Sequence, residues 1–272
     1  MIDIVGGMYH LFNYEGGTAM ITDSFDNKTP SIVSFADFYG EQKHLIDTCL
    51  VTFSKQIADS VLDTFDCAKI ADIHAANGFT PIYQFTHEGQ NIGFYLSGIG
   101  STLAAQFCIE SSYLTGATNY IMFGSAGSLD GEKTTGKFVI PTHAYRDEGM
   151  SYHYAPPADY IDIKNHGKVA EIFRRLDLPY VEGRVWTTDA FMRETVGQMT
   201  LRRSEGCIAV EMELAGVQSV CDFHGLELYD FLATGDVLSG SEYHVEGLND
   251  ANHNMDKFYI ALEIAKAIES YD

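Results

Sequence analysis

From about residue 47 to the end of the chain, short apolar segments alternate with amphipathic segments, and this alternation most constrains the fold. Residues 48–53 (TCLVTF) form an apolar run, and the segment after it places Ile57, Val61 and Phe65 at helical spacing. Several of the predicted strands are apolar on both faces, which is typical of a sheet covered by helices on both sides. The sequence therefore predicts an α/β domain with a largely parallel sheet.

The same alternation continues through the rest of the chain. Residues 68–78 and 80–100 are predicted to form strands, with a hairpin at His87–Gln90, and Ser101 is expected to cap the helix that follows. The other predicted strands cover 119–129, 136–145, 180–186, 207–211 and 226–233, and the other predicted helices cover 164–176, 214–224 and 255–271.

Residues 1–46 are the least regular part of the chain, with two Gly-Gly pairs and only short apolar pieces. We interpret them as an N-terminal extension that packs on the domain or on a neighbouring subunit. No internal repeat, low-complexity tract or linker divides the remainder, so the sequence predicts a single domain over residues 1–272.

The charge balance is strongly acidic, with 17 Lys and Arg against 38 Asp and Glu and a net charge of −21. Nucleic acids and anionic membranes need a basic surface, so neither is expected as a partner. No apolar stretch is long enough to span a bilayer and no secretory signal is visible, so we expect a cytoplasmic protein. The five widely spaced cysteines are expected to be reduced and buried, and the scattered histidines predict no metal site.

Glycine and serine follow two predicted strands, at the sheet edge where α/β proteins bind ligands. These segments are 97–101 (SGIGS) and 124–127 (GSAG), and Asp236 follows a third apolar strand. Glycine lets backbone N–H groups approach an anion, and tight turns have the same composition. Neither segment matches the P-loop or the G-x-G-x-x-G pattern, so ATP and NAD sites are not predicted. Asp236 is interpreted either as a strand-end cap or as a general acid.

Two glutamates, Glu211 and Glu213, flank Met212 inside an apolar run that contains no cation. An ionised carboxylate in such surroundings is costly unless donors bind it. Because the run ends a predicted strand, beside the other polar strand ends, its carboxylates are candidates for a ligand site.

Four segments, in this order, resemble the nucleoside phosphorylase and nucleosidase superfamily, which includes purine nucleoside phosphorylases, uridine phosphorylases and methylthioadenosine nucleosidases. The resemblance covers residues 47–270, and RDEGMSYHYAPP (146–157) is similar to an uncharacterised bacterial phosphorylase-like subgroup. It implies a three-layer fold with a central mixed sheet, and cleavage of an N-glycosidic bond by phosphate or water. The four segments are GSAGSL (124–129), TTDAFMRE (187–194), AVEMELAGV (209–217) and FLATGD (231–236).

The resemblance also implies residue roles. Glu213 would accept hydrogen bonds from the ribose hydroxyls, Met212 would pack under the sugar, and Glu211 would face the base or support Glu213. Phe191 is expected to stack on the base, and Asp236 aligns with the aspartate that protonates a purine at N7. The residues after Phe191 lack the Gln/Arg pair of uridine phosphorylases, so the resemblance favours a purine nucleoside.

The anion site departs most from the family pattern, because Met122 stands where phosphorylases carry an arginine. Residues 53–58 contain no carboxylate, whereas nucleosidases carry a water-activating glutamate there, and this favours phosphorolysis. The residues expected to bind phosphate are Ser54, Lys55, Gly100 and Ser125, together with His74 from a neighbouring subunit.

The sequence therefore predicts a pentosyltransferase, a purine nucleoside phosphorylase of purine salvage, with inorganic phosphate as co-substrate and no cofactor. The alternatives are a nucleoside hydrolase, a uridine phosphorylase and a nucleoside-binding protein with weak catalysis. The resemblance implies a homodimer or homohexamer. Tyr152, His153 and Tyr154 are interpreted either as a roof over the sugar or as a subunit contact.

Overall fold

A single mixed sheet dominates the computed structural model, which describes residues 20–239 and 242–269. The strands are β1 (Thr48–Thr52), β2 (Ala68–Ala75), β3 (Gly78–His87), β4 (Gln90–Leu96), β5 (Asn119–Ser128), β6 (Phe138–Asp147), β7 (Tyr160–Asp162), β8 (Tyr180–Thr188), β9 (Cys207–Glu211), β10 (Glu227–Ser239) and β11 (Glu242–His244). Their order is β11-β10-β6-β8-β9-β5-β1-β4-β3-β2, with β7 on β6.

Most of the pairings in the middle of the sheet are parallel. They join β4 to β1, β1 to β5, β5 to β10, β6 to β8 and β8 to β9, whereas the hairpins and the β5–β9 and β6–β10 pairs are antiparallel. Because β10 pairs with both β5 and β6, and β9 with both β5 and β8, these five strands close into a ring. The carboxyl ends of β1, β5 and β9 therefore meet beside β10.

Helices cover both faces of the sheet, and each face has its own buried apolar cluster between the strands and the helices. One cluster includes Ala104, Cys108 and Val217, and the other includes Ile57 and Phe258. These two layers of helices confirm the predicted three-layer α/β fold with a mixed sheet. The helices are α1 (Ala36–Tyr39), α2 (Lys55–Thr64), α3 (Ser101–Thr115), α4 (Gly131–Thr134), α5 (Ser151–Tyr154), α6 (His166–Arg175), α7 (Val196–Ser204), α8 (Leu214–His224), α9 (Leu248–His253) and α10 (Asp256–Glu269).

The predicted elements agree closely with the observed ones, and β9 and α8 agree to the residue. The predicted cap of α3 is wrong. Gly100 is its N-cap, with φ at +97°, and Ser101 is the first helical residue. The Ser101 hydroxyl instead donates to Glu148 at 2.9 Å. Glycine suits this position because its backbone adopts a positive φ at little cost.

The described part of the N-terminal extension contacts the domain. Tyr39 of α1 hydrogen-bonds through its hydroxyl to Glu110 of α3, and Phe35 and Tyr39 pack against the apolar cluster that contains Cys108. Ile46 is fully buried there. Residues 1–19 lie outside the described residues, so a contact with a neighbouring subunit and the single-domain boundary stay predictions.

None of the cysteines forms a disulfide, and four of the five are buried. Cys108 and Cys221 approach to 3.7 Å between their sulfur atoms in the core. Over residues 20–239 and 242–269, no helix has the length and apolar character needed to cross a bilayer.

Candidate active site

A cavity of about 830 Å³ opens where the strand ends meet. Its wall is built by the carboxyl ends of β1, β5 and β9, by the second half of β10, and by the segments around Phe191 and His253. Of the residues predicted for the site, Ser54, Ser125, Phe191, Glu211, Met212, Glu213 and Asp236 line this cavity.

Glu213 is presented to the cavity at the start of α8. The Gly100 N–H donates to one of its carboxylate oxygens at 2.7 Å, and this bond holds the side chain in place. Burial raises the pKa of Glu213 to about 7, and the Gly100 donor partly opposes this shift. A carboxylate held at one oxygen can accept hydroxyl groups at the other, as the predicted role in ribose binding requires.

Both carboxylate oxygens of Glu211 accept hydrogen bonds from neighbouring groups of the protein. The Thr187 hydroxyl donates to one oxygen, and the backbone N–H groups of Glu213 and Leu214 donate to the other at 2.7 Å each. Burial, followed by the charge of Glu213, raises the pKa of Glu211 to about 8. Glu211 therefore caps the start of α8 and supports Glu213, which was one of the two expected roles.

The residues expected to bind the base lie around the second half of β10 and the short 3-10 helix Phe191–Arg193. Asp236 is 8% exposed, and its Oδ2 would lie 3.1 Å from a Cβ atom built on Gly127. Glu194 lines the same cavity and was missed by sequence reasoning. Burial, followed by the charge of Asp236, raises the pKa of Glu194 to about 7. Both carboxyls line the one cavity, and a second negative charge in the same cavity disfavours the ionised form of Glu194.

Another group of polar side chains, which we call the anion corner, consists of Ser54, Ser125, Asn252, His253 and Lys257. The Ser54 hydroxyl and His253 Nδ1 are 2.8 Å apart, and the Ser125 hydroxyl donates to Asn252. Lys257 is 1% exposed, and burial lowers its pKa to about 8. Its ammonium donates to backbone carbonyls, including that of Gly124 at 3.1 Å.

The N-terminus of α2, which is the positive end of its dipole, also lies at the anion corner. Ser54 is the N-cap of α2, and its hydroxyl accepts the Ile57 N–H at 3.2 Å. The dipole of a helix favours an anion at its N-terminus. Sequence reasoning missed Asn252, His253 and Lys257. One local signal pointed to Lys257, because it lies one turn before Ala261 on the apolar face of α10.

Three residues expected in the phosphate site lie elsewhere. Lys55 is exposed and pairs with Asp59 at 2.6 Å, so it does not face the cavity and its expected role does not fit its position. Gly100 does not line the cavity and acts through its N–H bond to Glu213. His74 is exposed on β2 and borders a separate cavity of about 290 Å³. Its predicted contact with a neighbouring subunit's phosphate stays a prediction.

The segment 152–154 does not line the main cavity either. The Tyr152 ring lies 4.2 Å from the Arg146 guanidinium, and Tyr154 packs on Phe223. Arg146 is buried and donates to Ser151 and to the Pro156 carbonyl, so the motif 146–157 folds on itself. This position gives no support to the interpretation of these residues as a roof over the sugar.

One further carboxyl, Asp230, lines the cavity wall beside Met122, its register partner on β5. It is 1% exposed, and within the described residues neither of its oxygens has a hydrogen-bond partner. Burial, followed by the charges of Glu211 and Glu213, holds its pKa well above the usual range. Within the described residues, no group of three or more His, Cys, Asp or Glu is arranged to hold a metal ion.

The chain belongs to the phosphorylase superfamily, whose family model matches residues 47–267. The curated purine nucleoside phosphorylase DeoD-type of Exiguobacterium sibiricum is 26% identical over 226 residues, which are 78% of this chain and 88% of that protein. The protein of the same name from Caldanaerobacter subterraneus subsp. tengcongensis is 27% identical over 78% of this chain and 90% of its own.

Two solved structures share the fold. The 5'-methylthioadenosine/S-adenosyl homocysteine nucleosidase of Campylobacter jejuni has a TM-score of 0.65 at 19% identity, over 83% of this chain and 99% of the other. A futalosine hydrolase mutant of Helicobacter pylori has a TM-score of 0.63 at 15% identity, over 80% and 99% of the two chains. The chain is thus a member of an enzyme family whose relatives include both phosphorylases and hydrolases.

Proposed function

We propose that this protein cleaves the N-glycosidic bond of a purine nucleoside, with inorganic phosphate as the attacking group. One observation carries the proposal: Glu213, whose carboxylate suits a sugar diol, and Asp236, a buried carboxyl suited to a base nitrogen, line one cavity beside Phe191. No further cofactor is needed for this reaction. We also propose that the enzyme is a cytoplasmic homo-oligomer.

The proposed reaction breaks the bond between C1′ of the sugar and N9 of the base. The bonding electrons go to the base while positive charge develops on the ribose, so a carboxylate near the sugar stabilises the transition state. Asp236 gives its proton to N7 of the departing base. A phosphate oxygen forms the new bond to C1′, and the products are free base and ribose 1-phosphate.

The anion corner supports phosphate as the attacking group. Ser54 and Ser125 bring hydroxyl groups, α2 brings the positive end of its dipole, and Lys257 brings a buried positive charge. The Lys257 ammonium already donates to backbone carbonyls, so it acts on phosphate by its charge rather than by a direct hydrogen bond. In this proposal, Lys257 supplies the positive charge that was expected from Lys55.

The test is a panel of purine and pyrimidine nucleosides incubated with and without phosphate. We expect base release from a purine nucleoside that requires phosphate and yields ribose 1-phosphate. Lys257→Met should raise the KM for phosphate roughly 10- to 100-fold, as expected for loss of a charged partner. Lys55→Met is the matched control and should leave this KM unchanged. No cleavage of any nucleoside would refute the proposed function.

Asp236→Asn provides the second variant. It keeps the shape of the side chain and removes the proton, so we expect turnover of purine nucleosides to fall far more than their binding. A variant with wild-type turnover would exclude the acid role of Asp236.

Hydrolysis is the second candidate, and one observation favours it. The wall at Met122 and Asp230 is apolar and acidic, whereas the family's phosphorylases carry an arginine at the first of these positions. Water fits such a wall more easily than a phosphate dianion. Equal rates with and without phosphate, with free ribose as product, would decide for hydrolysis.

A further inference from the structure

We propose that Glu148 is a positioning residue for the proposed sugar site, and that it acts through Ser101, the first residue of α3. Ser101 directly follows Gly100, whose N–H holds the carboxylate of Glu213. The inference rests on the proposed function, because it takes Glu213 as the residue that binds the sugar. It gives a role to residues 146–151, which belong to the motif 146–157 and do not line the cavity.

The starts of α3 and α8 meet at Glu213. Gly100 is the N-cap of α3, and Glu213 is the N-cap of α8. The Gly100 N–H donates to Glu213 Oε1 at 2.7 Å, so the backbone of one N-cap holds the side chain of the other. Gly100 has a φ of +97°, and glycine reaches many backbone conformations at little cost. The direction of its N–H therefore depends on the residues that hold it in this one.

Ser101 is held from two sides. Its side chain is fully buried, and its hydroxyl donates to Glu148 Oε2 at 2.9 Å instead of capping its own helix. On the other side lies Gly216 of α8, where a Cβ atom would clash with Ser101 Oγ. The missing side chain at Gly216 lets α8 approach α3, and the bond to Glu148 fixes the hydroxyl against it. The first residue of α3 is thus anchored next to Gly100.

Glu148 is itself held by its own segment of the chain. The Ser151 N–H donates to Glu148 Oε2 at 3.0 Å, and the Ser151 hydroxyl donates to Oε1. The buried Arg146 donates from Nε to Ser151 Oγ at 2.8 Å. A buried carboxylate is stable only with such donors, and bonds at both oxygens leave it one orientation. Residues 146–151 therefore form a fixed support for Ser101.

This support should affect the sugar more than the base. If Ser101 is released, the Gly100 N–H can turn away and the Glu213 carboxylate is less well aligned with the ribose hydroxyls. A nucleoside without its 2′-hydroxyl makes less use of that carboxylate and loses less. The preference for ribonucleosides over 2′-deoxyribonucleosides should therefore fall. A general loss of folded protein lowers both rates by one factor and leaves their ratio unchanged.

The test compares kcat/KM for adenosine and inosine with kcat/KM for 2′-deoxyadenosine and 2′-deoxyinosine. In Ser101→Ala and in Glu148→Ala we expect the ratio of ribonucleoside to deoxyribonucleoside to fall about 5- to 10-fold. In the double variant it should fall no further, because both residues act through one bond. If Glu148→Ala does not fold, Ser101→Ala decides.

Two variants serve as controls. Glu148→Gln keeps an acceptor for the Ser101 hydroxyl, so it should keep the ratio within about twofold of the wild type. Ser111→Ala removes another fully buried hydroxyl of α3, one that bonds to the Cys108 carbonyl and to Tyr120, and it should leave the ratio unchanged.

Amide exchange of Gly100, followed by NMR in protein labelled with 15N-glycine, gives a readout that needs no substrate. We expect exchange to be roughly 10-fold faster or more in Ser101→Ala, and unchanged in Ser111→Ala. Either an unchanged exchange rate or an unchanged ratio in Ser101→Ala would overturn the inference. If no nucleoside is cleaved, the proposed function fails, and the exchange rate still decides whether Glu148 and Ser101 fix the N–H that holds Glu213.

Discussion

Replacement of Glu211 tests whether its carboxylate only holds the start of α8 or also acts on the substrate. Glu211→Gln can keep the local hydrogen bonds. Its amide oxygen can accept the N–H groups of Glu213 and Leu214, and its NH₂ can donate to the Thr187 hydroxyl. We therefore expect the free energy of unfolding to change by about 1 kcal/mol or less.

Glu211→Ala removes the acceptor and leaves two backbone N–H groups in a buried site without a partner. Each such loss costs about 1–3 kcal/mol, and removal of the costly buried carboxyl offsets part of it. The expected loss is about 2–3 kcal/mol, a large share of the 5–15 kcal/mol typical of a folded protein. Glu211 also holds the backbone at Glu213, because it accepts the Glu213 N–H. The alanine variant should therefore position Glu213 less well and bind nucleoside more weakly.

The measurements are urea unfolding curves and steady-state kinetics on both variants. We expect the glutamine variant to keep turnover within about tenfold of the wild type, whereas the alanine variant loses stability and substrate affinity together. A stable Glu211→Gln protein whose turnover falls by a factor of 100 or more would refute this reasoning, because it would show that the charge of Glu211 acts on the substrate.

Two further predictions concern the same cavity wall. Burial raises the pKa values of Glu211, Glu213 and Asp230 above their unfolded values near 4, so the folded state binds more protons at these groups. Their contribution to the free energy of unfolding should be fully present below about pH 4 and should be lost as the pH rises towards 8. Asp230→Asn should flatten this slope in urea midpoints taken from pH 5 to 8, and an unchanged slope would count against a protonated Asp230. Gly127→Ala places a Cβ atom 2.9 Å from Leu238 and 3.1 Å from Asp236 Oδ2, so we expect a loss of about 1–3 kcal/mol and slower base release. Gly197→Ala, whose Cβ meets no atom within 4 Å, is the control, and equal thermal stability of the two variants would contradict the packing argument.

The parts of the fold that the sequence predicts are those set by local patterns. The segment from Cys207 to His224 combines a short apolar run with an amphipathic one, and its strand and helix agree to the residue. Lys55 was expected to bind phosphate because of its position in the family resemblance, although the local sequence indicates a different role. Its spacing of four residues from Asp59 on the exposed side of α2 is that of a helical ion pair, and this pair forms.

The parts of the site that could not be predicted depend on contacts between distant segments. Ser54 and His253 are 199 residues apart in sequence, and Lys257 and Gly124 are 133 apart, yet both pairs are hydrogen-bonded. No periodicity or motif encodes such a contact, because it depends on how α9 and α10 pack against β5. Glu194 was missed for a related reason, since the cavity that it lines is built by segments that are distant in sequence.

Positive and negative side chains occupy different parts of the cavity wall, although the chain as a whole carries a net charge of −21. Lys257 lies in the anion corner, where the proposed phosphate would bring negative charge, whereas Glu194 follows the 3-10 helix Phe191–Arg193 and Asp236 lies in the second half of β10. A distant surface charge is screened beyond about 8–10 Å at physiological ionic strength, whereas buried and half-buried groups are screened much less. If the proposed function holds, this local arrangement should affect the binding of phosphate and base more than the net charge of the chain does. The acidic surface is compatible with an anionic substrate as long as Lys257 keeps its proton.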